Sequence, residues 1–326
     1  MKILVLGAAG MLGQKLVARL AADGHVMGQA ITHLIRHDVV LCPAPPAADF
    51  TIETQIGDLS ETGEAQTLIA SKPAIIFHLV AIVSGEAEAN FEKGYLINFD
   101  GTRNLLEAIR KTGEGYCPKL IFTSSIAVFG APFADAIDDE FFSTPLTSYG
   151  TQKAISELLI SDYSRKGFMD GISLRMPTIC VRPGKANMAA SSFFSNIIRE
   201  PLMGLEAILP VSDSVRHWHI SPRRAVELLL HAANMNLQTV GPRRALSMPG
   251  VSCTVAEQIL ALENVAGHKA VQLIKREANE TINRIVLGWP QNFNPQRALA
   301  LGFKADKNFE EIIRIHIEDE LKGQIA

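Results

Sequence analysis

The sequence predicts an α/β fold in which a doubly wound parallel sheet is followed by a smaller α/β lobe. In the first half, short apolar runs alternate with longer segments of helical periodicity, which is the pattern of parallel βαβ units. Beyond Pro183 this strict alternation lapses. A chain of 326 residues, 47% of them hydrophobic, is long enough to bury a large core and a second lobe.

Each element of the first half follows from its local pattern. Strands buried on both faces form continuous apolar runs, and such runs occur at Lys2–Leu6, Ile31–His37, Ala74–Val80, Lys119–Thr123 and Gly171–Leu174. Apolar residues recur at i, i+3 and i+4 in the helices predicted between them, at Met11–Ala22, Thr62–Ser71, Glu88–Thr112 and Ser148–Lys166. The proline-rich stretch Leu41–Phe50 is predicted to be an exposed loop.

In the second part, helical periodicity predicts four further helices. They are Ser191–Arg199, Pro222–Asn236, Thr254–Gly267 and Asn308–Leu321, with short apolar strands between them. There is no internal repeat and no low-complexity tract in the sequence.

The composition predicts a cytoplasmic protein with a small-molecule ligand. A net charge of -3 offers no electrostatic case for nucleic acid, and no stretch reaches the roughly 20 apolar residues of a membrane span. The cysteines have neither a Cys-x-x-Cys nor a zinc spacing, so we expect packing roles in a reducing compartment and no metal site. They are Cys42, Cys117, Cys180 and Cys253.

A glycine-rich turn joins the first predicted strand to the first predicted helix. Gly7 permits a tight turn, Gly10 lets the backbone approach a pyrophosphate, and Gly13 lets the helix pack closely on the strand. Free N–H groups at the helix N-terminus would face the phosphates. The turn therefore predicts a dinucleotide site in a Rossmann-type domain, the alternative being a tight βα turn without a ligand.

The residue after the second predicted strand bears on the choice of cofactor. A nicotinamide site usually places an acid there for the ribose hydroxyls, and Asp38 favours NAD over NADP. Two observations leave NADP open: the spacing from Gly7 exceeds the roughly 20 residues usually seen, and Arg36 or His37 could meet a 2′-phosphate. A solvated strand-end aspartate is the structural alternative. Asp58 is a weaker candidate, for the adenine ring.

A second group of residues indicates proton transfer. Tyr149 and Lys153 are four residues apart on a predicted helix and would share a face. An ammonium group beside a phenol lowers the phenol's pKa, so Tyr149 could take a proton from a substrate hydroxyl. Ser125, near the carboxyl end of a predicted strand, would bind the same oxygen. The alternative is an exposed helix pair without function.

These motifs, in this order, resemble the extended short-chain dehydrogenase/reductase family, of the NAD-dependent epimerase/dehydratase type. The resemblance covers residues 1 to about 183. Gly7, Gly10 and Gly13 match the family's GxxGxxG loop, and Phe77–Ala81 matches its fourth-strand segment. Asn98 with Gly101 and Thr102 matches its Asn-x-x-Gly-Thr element, and its catalytic triad is matched by Ser125, Tyr149 and Lys153. The resemblance implies an NAD-binding Rossmann domain over residues 1–183 and a mainly substrate-binding lobe over residues 184–326, with a possible return of the chain to the first domain. It also implies a homodimer built partly from the Glu88–Thr112 and Ser148–Lys166 helices.

Together these arguments give the following cofactor residues: Gly7, Gly10, Met11, Leu12, Gly13, Asp38, Asp58, Leu59, Leu79, Val80, Ala81, Asn98, Thr123, Tyr149, Lys153, Pro177, Thr178 and Ile179. Met11 and Leu12 are expected to support the adenosine through their backbone groups. Pro177–Ile179 lies where the family's backbone meets the nicotinamide carboxamide.

Within the family, three stretches are similar to the D-erythronate dehydrogenase group, which oxidises the C2 hydroxyl of a four-carbon sugar acid with NAD. The stretches are Val83–Ala89, Ser148–Ala154 and Arg175–Lys185. A sugar acid needs a cation for its carboxylate and polar groups for its hydroxyls. The candidates are Ser84, Ser125, Tyr149, Thr178, Arg182, Ser191, Ser192 and Arg216.

Other functions stay open at this point. A nucleotide-sugar 4-epimerase or dehydratase with tightly held NAD begins with the same hydride step, and Arg216 could hold a diphosphate as well as a carboxylate. A cofactor-sensing binding protein without catalysis is a third possibility, although such proteins commonly lack the tyrosine. His217 and His219 share a strand face, but without a third ligand they are expected to be packing residues.

Overall fold

The computed structural model describes residues 1–184 and 190–326. Lys185, the last residue of one matched stretch, lies outside the described residues. The chain divides into two compact units. The first unit comprises Met1–Val128, Thr147–Arg175 and Val226–Leu246, and the second comprises Phe129–Leu146, Met176–Ala225 and Ser247–Ala326.

The strands and helices of the described residues are numbered here in chain order. The strands are β1 (Lys2–Leu6), β2 (His25–Val26), β3 (Gln29–Ala30), β4 (His33–Asp38), β5 (Thr51–Ile56), β6 (Ile75–His78), β7 (Lys119–Ser125), β8 (Ile137–Asp138), β9 (Asp170–Met176), β10 (Thr178–Ile179), β11 (Ala207–Leu209), β12 (Arg216–Ile220), β13 (Ala245–Ser247), β14 (Val251–Thr254), β15 (Ile274–Arg276) and β16 (Phe293–Asn294). The α-helices are α1 (Met11–Asp23), α2 (Glu64–Ala70), α3 (Ser84–Ala89), α4 (Phe91–Gly94), α5 (Gly101–Lys111), α6 (Ser148–Arg165), α7 (Ser192–Leu202), α8 (Pro222–Asn234), α9 (Val255–Ala266), α10 (His268–Val271), α11 (Glu280–Leu287), α12 (Gln296–Ala300) and α13 (Phe309–Leu321).

The first unit contains a seven-stranded sheet in the order β13-β9-β7-β6-β1-β4-β5. Pairing is parallel from β5 through β4, β1 and β6 to β7. The chain moves outward from β1 to β4 and β5, then returns to the other side of β1 at β6. Ligands of open α/β sheets bind where the strand order reverses in this way. The predicted Rossmann-type α/β fold is confirmed, and the carboxyl end of β1 lies at this switch point.

Strand β5 was not predicted from the sequence. It carries the sequence Thr-Ile-Glu-Thr-Gln-Ile at the edge of the sheet and pairs only with β4 among the described strands. An edge strand is partly exposed, so its polar residues interrupt the apolar run that marks a buried strand. The short β2–β3 hairpin was not predicted either.

The predicted helix Glu88–Thr112 is interrupted in the structure. Helix α3 ends at Ala89, and Asn90, with φ -132° and ψ 88°, caps α4 by accepting a hydrogen bond from the Lys93 N–H. A π-helical turn at Tyr95–Asp100 then leads into α5. An apolar repeat cannot reveal such a break, because the helical segments on both sides keep the same buried face.

Contacts distant in sequence bring residues 226–246 to the first unit. The Lys119 ammonium donates to the carbonyls of Ala233 and Met235, at 2.9 and 2.7 Å. Arg244 lies 3.0 Å from the Asp170 carboxylate, and β13 pairs with β9. The first unit thus includes residues 226–246, and the second unit includes residues 129–146 and begins its next segment at Met176, so the units do not divide at residue 183. The roles assigned to the two predicted domains remain predictions.

The second unit is built around a separate hydrophobic core. Helices α7, α9 and α13 supply much of it, together with Val251 and Cys253 of β14, which belongs to the three-stranded sheet β10-β12-β14. Residues 129–146 belong to this unit because β8 pairs in parallel with β16, more than 150 residues later in the chain. None of the described helices is long and apolar enough to cross a membrane.

Candidate active site

The glycine-rich turn joins β1 to α1 at the switch point. Gly7 has a φ of +82°, and a Cβ there would lie 3.1 Å from the backbone of Leu79 and Val80. A Cβ at Gly13 would lie 2.2 Å from the Gly7 carbonyl oxygen. Both positions therefore require glycine, the first for its backbone conformation and the second for the close packing of helix on strand.

The N-terminus of α1 fits a pyrophosphate. Its N-cap is Gly10, which offers no side chain to satisfy the first-turn N–H groups. None of residues 11–14 is acidic, and Met11 and Leu12 are half-buried there. The positive end of the helix dipole and its unpaired N–H groups favour an anion at this point.

Asp38 lies at the end of β4, beside the glycine-rich turn. Its carboxylate accepts a hydrogen bond of 2.9 Å from the Ala9 N–H. The two cationic candidates of the same strand are engaged elsewhere: Arg36 donates to the Pro43 carbonyl and the Thr54 hydroxyl, and His37 lies 2.9 Å from Glu64. Arg36 and His37 are 5% and 1% exposed. The strand end therefore presents a carboxylate, whereas its guanidinium and imidazole are buried.

The remaining cofactor candidates of the first unit differ in their surroundings. Asp58 accepts hydrogen bonds from the N–H and hydroxyl of Ser60, and Leu59 is 2% exposed in the core. Leu79 and Val80 are half-buried and Ala81 is exposed directly after β6. Leu59 can contribute only backbone groups to a ligand, since its side chain is part of the core.

Asn98 holds the segment that follows β6. Its amide accepts from the Ile82 N–H at 2.9 Å and donates to the Ile82 carbonyl at 3.3 Å. It also donates to Gln152 of α6 at 2.8 Å. Asn98 therefore fixes the backbone near Ser84, which begins α3, and ties it to the helix that carries Tyr149.

Helix α6 brings Tyr149 and Lys153 to one face, one turn apart. The Thr147 hydroxyl caps this helix by accepting from the Gly150 N–H. The Lys153 ammonium lies 5.8 Å from the centre of the Tyr149 ring and donates to the Thr123 carbonyl at 2.8 Å. A hydrogen bond joins the Ser125 hydroxyl to the Tyr149 phenol. The three predicted catalytic residues thus lie together in the first unit, with Thr123 beside them.

Burial sets the pKa values of this group. It raises the pKa of Tyr149 to about 12, partly offset by the hydrogen bond from Ser125. Burial also lowers the pKa of Lys153 to about 7, against the opposing charge of Glu157. The expectation that Lys153 lowers the pKa of the phenol is not met in the protein alone, because desolvation dominates both groups.

A buried cluster behind Lys153 was not predicted from the sequence. Glu157, 3% exposed, is one turn beyond Lys153 on α6. It accepts from the Ser124 hydroxyl at 2.5 Å and pairs with the Arg175 guanidinium at 2.8 Å. The spacing Tyr149, Lys153, Glu157 is the available sequence signal, since residues at i, i+4 and i+8 share a helix face.

In the second unit, Arg182 is a partly buried cation without an acidic partner. Its guanidinium donates to the Ser191 hydroxyl at 3.2 Å, and no carboxylate among the described residues forms an ion pair with it. Burial lowers the pKa of Arg182. Ser191 is the N-cap of α7 and Ser192, 8% exposed, begins that helix. A buried charge is costly unless it is paired, which makes this guanidinium suited to an anionic ligand.

Arg216, the other predicted cation, is in a different situation. Its guanidinium lies 3.2 Å from the Glu257 carboxylate and 3.3 Å from the Ser252 carbonyl. Its charge is thus compensated within the second unit.

Pro177, Thr178 and Ile179 lie at the start of the second unit. Pro177 is buried, and Thr178 and Ile179 form β10 against β12. The Thr178 hydroxyl lies 2.6 Å from His217 Nε2, whose Nδ1 is 3.1 Å from the Pro290 carbonyl. His219 Nε2 contacts the Gln258 amide at 2.9 Å. Both ring nitrogens of His217 therefore have hydrogen-bond partners within the second unit.

Comparison with known proteins agrees with this geometry. The family model of the NAD dependent epimerase/dehydratase family matches residues 3–235. A D-erythronate dehydrogenase of Cupriavidus necator is 44% identical over 98% of this chain and 98% of its own length. A D-erythronate dehydrogenase of Haemophilus influenzae is 44% identical over 98% of this chain and its own full length.

A solved structure resembles the whole chain. The crystal structure of a nucleoside-diphosphate-sugar epimerase from Agrobacterium tumefaciens has a TM-score of 0.98 and 58% identity, covering 100% of this chain and 96% of that one. The predicted family resemblance and the predicted oxidoreductase class of enzyme are confirmed. The chain belongs to the NAD dependent epimerase/dehydratase family.

Proposed function

We propose that the chain is an NAD-dependent dehydrogenase that oxidises the C2 hydroxyl of a small sugar acid such as D-erythronate. The likeness to two D-erythronate dehydrogenases over nearly the whole chain carries this proposal. The geometry supports it in two ways: Arg182 offers a partly buried cation without an acidic partner among the described residues, and Ser125, Tyr149 and Lys153 lie together.

In this mechanism, Tyr149 is the base and Ser125 holds the reacting oxygen. The Ser125 oxygen already accepts from the Ala127 N–H at 3.1 Å, so its own proton is available to donate. Ser125 thereby stabilises a phenolate at Tyr149 or the oxygen of the substrate. Lys153, when protonated, adds a positive charge that favours the phenolate. The glycine-rich turn and Asp38 would hold the cofactor, whose nicotinamide ring would supply the acceptor for the hydride.

The carboxylate of the substrate is assigned to Arg182. A guanidinium presents two parallel N–H donors to a carboxylate, and burial strengthens such a pair. The neighbouring Ser191 and Ser192 hydroxyls are suited to substrate hydroxyls. Arg216 is a weaker choice because Glu257 already compensates its charge.

A nucleotide-sugar 4-epimerase is the second candidate, favoured by the name of the Agrobacterium relative. A diphosphate carries more negative charge than a sugar acid and would need more than one cation. In the second unit, Arg216 is paired with Glu257 and Arg199 with Glu200. Because both guanidiniums already have an acidic partner, Arg182 suits the single carboxylate of a sugar acid better than a diphosphate.

An absorbance assay for NADH separates the two candidates. With D-erythronate and NAD, we expect net accumulation of NADH. UDP-glucose or UDP-galactose should give neither NADH nor the other sugar. Interconversion of the UDP-sugars without released NADH would overturn the dehydrogenase and favour the epimerase.

We further propose NAD rather than NADP as the cofactor. A 2′-phosphate needs a cation at the end of β4, where Asp38 presents a carboxylate and the side chains of Arg36 and His37 are buried with other partners. A carboxylate instead accepts hydrogen bonds from the ribose hydroxyls.

Substitution of Asp38 by serine tests this choice. A hydrogen bond to a charged group contributes about 1.5–3 kcal/mol, so Asp38→Ser should weaken NAD binding by roughly 10- to 150-fold. The affinity for NADP should fall far less, because the substitution also removes the repulsion between the Asp38 carboxylate and the 2′-phosphate. Titration of each cofactor by fluorescence measures both. Asp23→Asn, at an exposed pair with Arg19, is the control, and equal losses for both cofactors would contradict the assignment.

A further inference from the structure

The contact between Thr178 and His217 is buried inside the second unit. Strands β10 and β12 are parallel neighbours, and this places the Thr178 hydroxyl oxygen 2.6 Å from His217 Nε2. His217 is 2% exposed and stacks on Phe194, with the ring planes 2° apart and the ring centres at 5.1 Å. Trp289 also packs against His217, with the two ring centres 5.3 Å apart. The imidazole is therefore held in one orientation.

The second hydrogen bond of His217 determines its tautomer. Nδ1 lies 3.1 Å from the Pro290 carbonyl oxygen, which can only accept a hydrogen bond. Nδ1 must therefore carry a proton. Burial lowers the pKa of His217 to about 4, so the ring is neutral at neutral pH. A neutral imidazole has one donor and one acceptor, which leaves Nε2 as the acceptor.

The direction of the Thr178 hydrogen bond follows from this tautomer. Since Nε2 can only accept, the Thr178 hydroxyl must donate its proton to His217. A hydroxyl has one proton and two lone pairs, so the oxygen of Thr178 can then only accept from a further partner. Thr178 is half-buried rather than fully enclosed.

We propose that His217 is a positioning residue. It accepts the hydrogen bond donated by the Thr178 hydroxyl, so that the Thr178 oxygen accepts a hydrogen bond from an O–H or N–H group of a bound ligand. This inference rests on the proposed function, for which Thr178 is one of the residues predicted to bind the cofactor and the substrate. The hydrogen bonds that link Pro290, His217 and Thr178 therefore favour a ligand group that donates to the Thr178 oxygen and disfavour a carboxylate or carbonyl oxygen beside it. The donor is either a hydroxyl of the sugar acid or the carboxamide N–H of the cofactor.

The tautomer can be tested in the protein without any ligand. In ¹⁵N NMR spectra at neutral pH, His217 should be a neutral imidazole protonated on Nδ1, with its signals assigned by their loss in His217→Asn. A ring protonated on Nε2, or an imidazolium, would overturn the inference. This result is independent of the substrate, so it stands apart from the proposed function.

Kinetics with D-erythronate and NAD test the consequence for binding. Thr178→Val removes the acceptor, and loss of a neutral hydrogen bond should lower kcat/KM roughly 2- to 10-fold. Thr178→Ser should restore most of it. His217→Asn keeps an N–H for Pro290 but removes the acceptor for Thr178, so its effect should resemble that of Thr178→Val.

The double variant Thr178→Val/His217→Asn decides whether His217 acts through Thr178. It should be no worse than either single variant, because both remove the same link. If the losses in kcat/KM of the two single variants multiply in the double variant, His217 has a general structural role and the inference is overturned. Melting temperatures show whether the variants fold.

A raised KM for D-erythronate with unchanged NADH affinity identifies the substrate hydroxyl as the donor, whereas weakened NADH affinity identifies the carboxamide. If neither constant changes in Thr178→Val, the inference fails. If the wild type has no dehydrogenase activity, the proposed function fails, and the NMR and NADH measurements still test His217.

Discussion

Tyr149→Phe should abolish NADH formation while leaving cofactor binding intact. The variant keeps the ring but removes the oxygen that bonds Ser125 and would take the substrate proton. A positioned base contributes on the order of 100- to 10,000-fold to the rate. We therefore expect a fall in kcat of that size, with the affinity for NADH within about twofold of the wild type.

Tyr163→Phe is a matched control for this prediction. Tyr163 is on the same helix, and its hydroxyl bonds the Glu107 carboxylate. Its loss should leave kcat nearly unchanged. A Tyr149→Phe enzyme with near wild-type turnover would show that another group is the base.

The wild-type pH profile provides a second check on Tyr149. Because burial raises the pKa of this phenol to about 12, only a small fraction is the phenolate base at neutral pH. The rate of oxidation should therefore increase with pH up to about pH 7, above which Lys153 loses the charge that favours the phenolate. A rate that falls between acidic and neutral pH, where Lys153 is still protonated, would contradict Tyr149 as the base.

Arg182→Gln should have the second large effect, on substrate binding. Truncating one partner of a buried charge pair costs about 2–5 kcal/mol, which corresponds to a loss of roughly 30- to 4,000-fold in kcat/KM for D-erythronate. The change should appear mainly in KM. Arg182→Lys should recover part of the loss, because it keeps the charge without the bidentate geometry.

Arg216→Gln serves as the comparison for Arg182. Its guanidinium is already paired with Glu257, so its loss should lower kcat/KM by less than about tenfold. If Arg216→Gln is the more damaging variant, the carboxylate has been assigned to the wrong arginine.

The sequence predicted the parts of the site whose function depends on local chain geometry. The turn from Gly7 to Gly13, Asp38 at a strand end, and Tyr149 and Lys153 at i and i+4 are each readable within one βα unit or one helix. The structure brings Asp38 to the Ala9 N–H and Ser125 to Tyr149, as such units require.

Features that depend on distant contacts could not be predicted in this way. Residues 129–146 join the second unit through a strand pair formed with Phe293–Asn294, and residues 226–246 return to the first sheet. The tautomer of His217 depends on Pro290, 73 residues later in the chain. The pKa values of Tyr149 and Lys153 depend on burial, which spacing along a helix does not reveal.

The origin of the transferred hydride tests the proposed reaction most directly. With D-erythronate carrying deuterium at C2, the NADH released in solution should contain one deuterium, detected by mass spectrometry. Released NADH without deuterium would show that a different carbon is oxidised. If no NADH is released from any sugar acid while a UDP-sugar is epimerised, the chain is not a dehydrogenase of this kind.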